Sequence, residues 1–343
     1  MLKLDFIIKM RHIRLYIIVL LTGLSVSSCF KEDQSVQPFP GKVVTIPYNI
    51  GYFQSYYDFE TDTVVASNSI GDWELGFECG KSGWHILVNS GSGWFVWNSR
   101  SADINANITP PATGFDNWRY DLPPYTFDST AVGMWVNVGV QPYTYTHTVY
   151  FLGRMRGSNY LSQKRIVFDK VDSSVYYFHY KDMDTGFQDT VVIDKKSDVN
   201  FVYYSFEERK EKLLEPPKTS YDLVFGPYYD VAEALGVITP YLVRGAFLNP
   251  YLVEARMDTT HDYETFNYTQ INFNAFTTRR NVIGYDWKVP QINVTGNSAS
   301  YSVVPGRFYI VKTVRGKYYK MKFISYTLDG NDGYPRFVAE RLD

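Results

Sequence analysis

The chain has 343 residues, of which 17% are aromatic, and a formal net charge of −2 at pH 7. Without an excess of basic residues, nucleic acid is excluded as a partner class. The only two cysteines, Cys29 and Cys79, cannot build a disulfide framework. Aromatic residues suit pleated, half-buried surfaces, so the composition favours an all-β fold.

The first predicted element is a secretion signal. Basic residues precede an apolar run over 15–24, which is too short for a bilayer that needs about 20 residues. Ser27 and Ser28 before Cys29 resemble a bacterial lipobox, which implies a signal peptide over 1–28 and lipidation of Cys29. The alternative is an ordinary secretory signal with a chance cysteine. Either Met1 or Met10 suits this signal as the start.

The residues after Cys29 predict where the anchored chain is placed. The stretch "KEDQ" from Lys31 resembles the export signal of Bacteroidetes surface lipoproteins, a lysine followed by acidic residues. The resemblance implies a lipid-anchored protein on the extracellular face of the outer membrane. Residues 29–41 are then a tether between the lipid and the first predicted strand.

Short alternating runs punctuated by glycine and proline predict strands and hairpins throughout the rest of the chain. Helix signals are few, and the best are "EERKEKLL" at 207–214 and "VAEALGVI" at 231–238. The clearest strand runs are "KVVTIPY" (42–48), "WHILVN" (84–89), "VYFLGRM" (149–155), "YLVRGAF" (241–247) and "FYIVKTV" (308–314).

A long-period repeat divides these strands into two sets. "YYDFE" at 56–60 precedes "DWELGF" at 72–77, and "YYSFE" at 203–207 precedes "SYDLVF" at 220–225. Each copy closes with a similar hairpin, "VYFLGRMRG" from 149 and "FYIVKTVRG" from 308. The repeat predicts tandem β domains over 42–188 and 189–343, with Trp73 and Tyr221 at equivalent buried positions. The alternative is one large sandwich whose strands merely look alike.

These motifs carry a family resemblance. The aromatic pair, the "WELGF" strand, the Asn/Gly-rich hairpin "VNSGSG" and the closing hairpin are similar to the HmuY-like haem-binding lipoproteins of Bacteroidetes. The resemblance implies two tandem HmuY-like antiparallel β domains with few short helices. It also implies nutrient capture, with haem as the ligand, beside a TonB-dependent outer-membrane transporter.

Catalytic signatures are missing from the sequence. It contains no G-x-S-x-G, H-E-x-x-H, C-x-x-C or Walker motif. We therefore expect a binding protein and no enzyme.

Haem capture needs two iron ligands, normally His or Met, on opposite faces of the porphyrin. Between Phe225 and Phe308, the second half offers only Met257 and His261, whose spacing cannot sandwich one ring. The preferred pair is Met134 with His147, because the 12 intervening residues let the chain turn, and His85 is the reserve.

Glycan or peptide binding through aromatic side chains is the rival function. Trp84, Trp94 and Trp97 lie near one glycine-rich hairpin, and Trp135 is a further aromatic candidate. The strand around Trp94 is apolar on both faces, which is also typical of a buried strand. A third possibility is an accessory lipoprotein that binds only the transporter complex.

Overall fold

The computed structural model of the protein describes residues 41–122, 129–157, 159–234, 237–293 and 298–343. The predicted signal peptide, Cys29 and the tether up to residue 40 lie outside the described residues. The described part consists of antiparallel strands with short 3₁₀ turns at Ser90–Ser92, Tyr268–Gln270 and Phe273–Ala275. The all-β prediction is confirmed.

The strands follow in chain order. They are β1 (Lys42–Thr45), β2 (Phe53–Asp58), β3 (Thr63–Ser69), β4 (Leu75–Glu78), β5 (Ile86–Val88), β6 (Trp94–Asn98), β7 (Val136–Asn137), β8 (Thr144–Tyr145), β9 (Val149–Arg156), β10 (Asn159–Val171), β11 (Val175–Asp182), β12 (Gln188–Asp194), β13 (Phe201–Ser205), β14 (Lys210–Lys212), β15 (Leu223–Ala234), β16 (Val237–Leu248), β17 (Glu254–Asp258), β18 (Lys288–Asn293), β19 (Ser298–Val303), β20 (Phe308–Lys312), β21 (Tyr318–Leu328) and β22 (Asn331–Arg341).

Four large sheets carry the fold. Sheet I has the order β1-β22-β21-β20-β17, and sheet II has the order β16-β15-β2-β3. Sheet III has the order β12-β11-β10-β9-β6, and sheet IV has the order β14-β13-β4-β5. Two small hairpins, β7-β8 and β18-β19, add to these sheets.

Strands are exchanged between the two halves of the chain. In sheet II, β2 of the first half pairs with β15 of the second, with Tyr57 opposite Leu223. In sheet IV, β13 of the second half pairs with β4 of the first, with Tyr204 opposite Leu75. This corrects the predicted domain boundary between 188 and 189: the repeat is present, but each half contributes strands to both sheet pairs.

Each pair of sheets encloses its own core. Between sheets I and II the rings of Trp287 and Phe323 stack with their centroids 3.8 Å apart. Between sheets III and IV, Phe77 stacks on Phe178 at 5.4 Å. The alternation that predicts strands places these rings inward, as in β11, where Phe178 is buried and the next residue, His179, is turned outward.

Two buried asparagines show how closely the repeat is kept. Asn89 donates a hydrogen bond from Nδ2 to the carbonyl oxygen of Trp73 at 2.7 Å. Asn249 donates the same bond to the carbonyl oxygen of Tyr221 at 2.8 Å. Trp73 and Tyr221 are themselves only 6% and 2% exposed. The two aromatic residues therefore occupy matching buried positions beside matching asparagines.

Two buried carboxylates link the halves in the same reciprocal way. Glu74 accepts a hydrogen bond from the backbone N–H of Phe206 at 2.7 Å. Asp222 accepts one from the backbone N–H of Phe59 at 2.9 Å. Burial raises the pKa of Glu74 and of Asp222 to about 7 in each case. Each half thus supplies a buried carboxylate that accepts a backbone hydrogen bond from the other half.

Both helix predictions are wrong. Residues 207–209 lie in a turn, in which Arg209 has φ of +54°, and the chain then returns as β14 beside β13. The run 231–238 falls on the ends of β15 and β16, where Val231 lies opposite Pro240. Cross-strand pairing overrides the local helix propensity at both places.

Candidate functional site

The histidines differ in how firmly they are held. Four of the five histidines of the chain lie in the described residues. Three of them have Nδ1 close to a carboxylate oxygen: His85 with Glu78 at 2.6 Å, His179 with Asp169 at 2.9 Å and His261 with Asp258 at 3.0 Å. Within the described part of the chain, His147 has neither a hydrogen-bond nor an ion-pair partner, and it is exposed. Its imidazole is therefore available for a ligand.

The β7-β8 hairpin brings Met134 and His147 to one place. The backbone N–H of Thr146 donates to the carbonyl oxygen of Trp135 at 3.0 Å, and the two predicted ligands each lie one residue beyond this bond. Met134 is 64% exposed. His147 adopts φ of +48°, which ends the pairing there. The two donors are thus neighbours at the open end of one hairpin, not facing residues on separate walls.

The reserve ligand His85 is firmly held. Its ring stacks on Trp84 with centroids 3.9 Å apart, while Glu78 Oε2 also accepts the backbone N–H of Trp84 at 3.0 Å. Burial opposes ionisation of Glu78, but the hydrogen bonds from His85 and Trp84 and the charge of His85 together outweigh it and lower the pKa of that carboxyl. A ligand role for His85 would require breaking this arrangement.

The tryptophans of the rival glycan-binding hypothesis are largely buried, as is typical of a strand that is apolar on both faces. Trp84, Trp94 and Trp135 are at most 9% exposed, and Trp135 donates from Nε1 to the carbonyl oxygen of Trp84 at 2.9 Å. Trp97 is half-buried and packs on Phe151 with centroids 5.3 Å apart. These indoles build the core because both faces of β6 are covered, so they offer no stacking platform for a glycan.

A groove that the sequence did not reveal lies at the β18-β19 hairpin. We call it the tyrosine groove, and it has a volume of about 250 Å³. The residues that define it are Tyr241, Arg244, Tyr285, Lys288, Tyr301 and Tyr326. They are spread over 86 positions in four segments, so no local spacing could have predicted the groove. The one local signal is a lysine between the apolar residues Trp287 and Val289.

Lys288 gives the tyrosine groove its charge. The residue is only 6% exposed, and Nζ donates to the carbonyl oxygen of Arg244 at 2.6 Å. Nζ also lies 4.5 Å from the ring centroid of Tyr326. Burial first, and the guanidinium of Arg244 second, lower the pKa of Lys288 to about 7, against the opposing pull of Asp286 and Asp332.

No described group of three or more His, Cys, Asp or Glu side chains is arranged to hold a metal ion. Nor does the described part of the chain contain a helix that is long and apolar enough to cross a membrane.

Comparison with known proteins identifies the family. The HmuY protein family matches residues 53–338 as one continuous match. The chain belongs to the HmuY family. Among solved structures, the apo HmuY analogue of Tannerella forsythia aligns at 11% identity over 91% of this chain and 100% of that chain, with a TM-score of 0.24. That structural likeness is too weak to define the fold. No curated protein matches the chain.

The HmuY match spans both halves of this chain and contains the candidate haem ligands, the tryptophans and the tyrosine groove. It begins at β2, so Cys29 and the tether precede it. It includes Met134, His147 and the whole tyrosine groove. The two sheet pairs are thus parts of one HmuY match.

Proposed function

We propose that this HmuY family chain is a surface lipoprotein that captures haem and passes it to a TonB-dependent outer-membrane transporter. Membership of the HmuY family supports haem as the ligand. The observation that carries the proposal is that His147, alone among the described histidines, has no carboxylate partner and lies with the exposed Met134 at the open end of the β7-β8 hairpin. The role is binding, with no catalytic step.

The donors at the hairpin end fit this ligand. Imidazole nitrogen and thioether sulfur are both common axial ligands of haem iron. Bound haem would supply the iron, and His147 and Met134 are the residues that would hold it. Below the hairpin end, Tyr145 packs against the buried ring of Trp135 with centroids 5.9 Å apart. These rings give the donors a rigid, apolar base.

The test is a haem titration of the full chain, followed at the Soret band. We expect a six-coordinate spectrum that is lost in His147→Ala and altered in Met134→Ala. His179→Ala is the matched control, because this histidine is also partly exposed but is held by Asp169. Absence of a spectral change at micromolar haem, or a spectrum that neither substitution alters, would replace haem capture by the accessory or glycan-binding alternative.

Anchoring at Cys29 is tested separately. In a Bacteroidetes host, Cys29→Ser is expected to abolish labelling by radioactive palmitate and to release the protein from membrane fractions. Protease added to intact cells is expected to digest the unsubstituted protein, which places it on the outer face. Labelling that persists in Cys29→Ser would contradict lipidation at this residue. Co-purification of a TonB-dependent transporter with the tagged protein tests the partner.

A further inference from the structure

The tyrosine groove shares no residue with the Met134 and His147 hairpin, so haem capture leaves its chemistry unused. We propose that the tyrosine groove binds a sugar acid, a single pyranose ring that carries a carboxylate. Three features of the groove support this ligand: its unpaired positive charge, its tyrosine rings and its volume.

The basic side chains of the groove favour an anionic ligand. Lys288 is buried, and neither Lys288 nor Arg244 has a carboxylate within 4.0 Å in the part of the chain that the structure describes. Carbonyl oxygens of Arg244 and Tyr285 accept from Lys288 Nζ at 2.6 and 3.4 Å. An ammonium has three donors, so one remains for a ligand. Burial without an ionic partner disfavours the charged form of Lys288 and lowers its pKa to about 7, and a bound carboxylate would stabilise that charged form.

The tyrosine rings of the groove favour a ligand that has both apolar faces and hydroxyl groups. Tyr241 is 49% exposed at the mouth of the groove, and its ring centroid lies 6.5 Å from that of Tyr285. Deeper in the groove, Tyr301 meets Tyr326 edge to face at 5.0 Å. A tyrosine offers an apolar ring face to the C–H groups of a pyranose and a phenol to its hydroxyls.

The volume selects a small ligand. At about 250 Å³ the groove lies below the roughly 300–1,000 Å³ of sites for drug-sized molecules. One pyranose ring is of suitable size, whereas a porphyrin is too large. The sugar acid would place its carboxylate at Arg244 and Lys288 and its ring against Tyr241.

Isothermal titration calorimetry of the full chain tests the proposal. The probes are glucuronic acid and N-acetylneuraminic acid, with glucose as the neutral ring and acetate as the anion without a ring. We expect saturable millimolar binding of a sugar acid and much weaker binding of glucose and acetate. Loss of one charged hydrogen bond in Arg244→Gln, or of the stacking ring in Tyr241→Ala, should weaken binding about tenfold.

Tyr268→Ala is the matched control, since Tyr268 is 41% exposed but lies outside the groove. It should leave the affinity unchanged. If Arg244→Gln fails to fold, Tyr241→Ala decides alone, because Tyr241 lies at the surface. The proposal is overturned if neither sugar acid binds saturably, if glucose or acetate binds equally well, or if Tyr241→Ala binds as tightly as the unsubstituted chain.

Discussion

Substitution of Asn249 by alanine is the sharpest test of how the repeat is held together. The side chain is fully buried. Its Nδ2 donates to the carbonyl oxygens of Lys218 and Tyr221 at 2.7 and 2.8 Å. Its Oδ1 accepts from Asn200 Nδ2 at 3.0 Å and from the backbone N–H of Tyr251 at 2.9 Å. Asn249→Ala removes all these bonds at once.

The expected loss follows from these bonds. At about 1 kcal/mol for each hydrogen bond, Asn249→Ala should lower the free energy of unfolding by roughly 3–4 kcal/mol. The repeat partner Asn89 makes one bond fewer, to the carbonyls of Ile70 and Trp73 and from the N–H of Ser92. Asn89→Ala should therefore cost roughly 2–3 kcal/mol.

Urea denaturation followed by tryptophan fluorescence gives both values. Asn331→Ala is the control, because Asn331 is exposed and makes only one long bond, to the carbonyl oxygen of Asp329 at 3.3 Å. The control should change stability by less than about 0.5 kcal/mol. The reasoning would be refuted if Asn249→Ala were as stable as the control, or if Asn89→Ala were clearly the more damaging of the two asparagine variants.

Three further predictions concern buried ionisable groups. Burial raises the pKa of Glu74 and Asp222 to about 7, so between about pH 4 and 7 the folded state keeps these two protons while the unfolded state loses them. The free energy of unfolding should therefore fall as pH rises through that window, by up to about 1.4 kcal/mol per pH unit for each group. Glu74→Gln should flatten this plot of unfolding free energy against pH. A curve unchanged by Glu74→Gln would count against this. Burial also raises the pKa of the Cys79 thiol to about 11, so Ellman's reagent should react only after unfolding, and rapid reaction of the native protein would show the site to be open. Lys320 is 1% exposed, and its Nζ lies 3.3 Å from a carboxylate oxygen of Glu340. Lys320→Met should lower the free energy of unfolding by roughly 3–5 kcal/mol, as measured by urea denaturation. A loss below about 1 kcal/mol would contradict the pairing.

The sequence predicted what depends on local pattern. Alternating runs predicted the strands at 42–48, 149–155 and 308–314, and the repeat predicted that Trp73 and Tyr221 are buried alike. Strand exchange could not be predicted, because the alternation in β2 is the same whichever strand lies beside it. For the same reason "VAEALGVI" looked helical until its partner strand was known.

The two candidate sites also differ in how far a local sequence pattern could point to them. Met134 and His147 could be selected from the sequence because they belong to one short segment that contains few other donors, and their role as ligands stays a prediction. The tyrosine groove depends on Lys288 meeting Arg244 and Tyr326, which are far apart along the chain. Their spacing along the chain therefore gives no sign that they meet in the folded protein.

The exchange of strands between the halves also governs how the protein reaches its folded state. A chain that has emerged only as far as residue 188 has β2 and β4 ready, but their partners β15 and β13 are still to come. Such long-range pairing gives a high contact order and slow folding. Until the second half arrives, the first presents unpaired strand edges that are prone to aggregation. Folding only after the last strand is available suits this topology. A truncation after residue 188 would leave neither sheet pair complete.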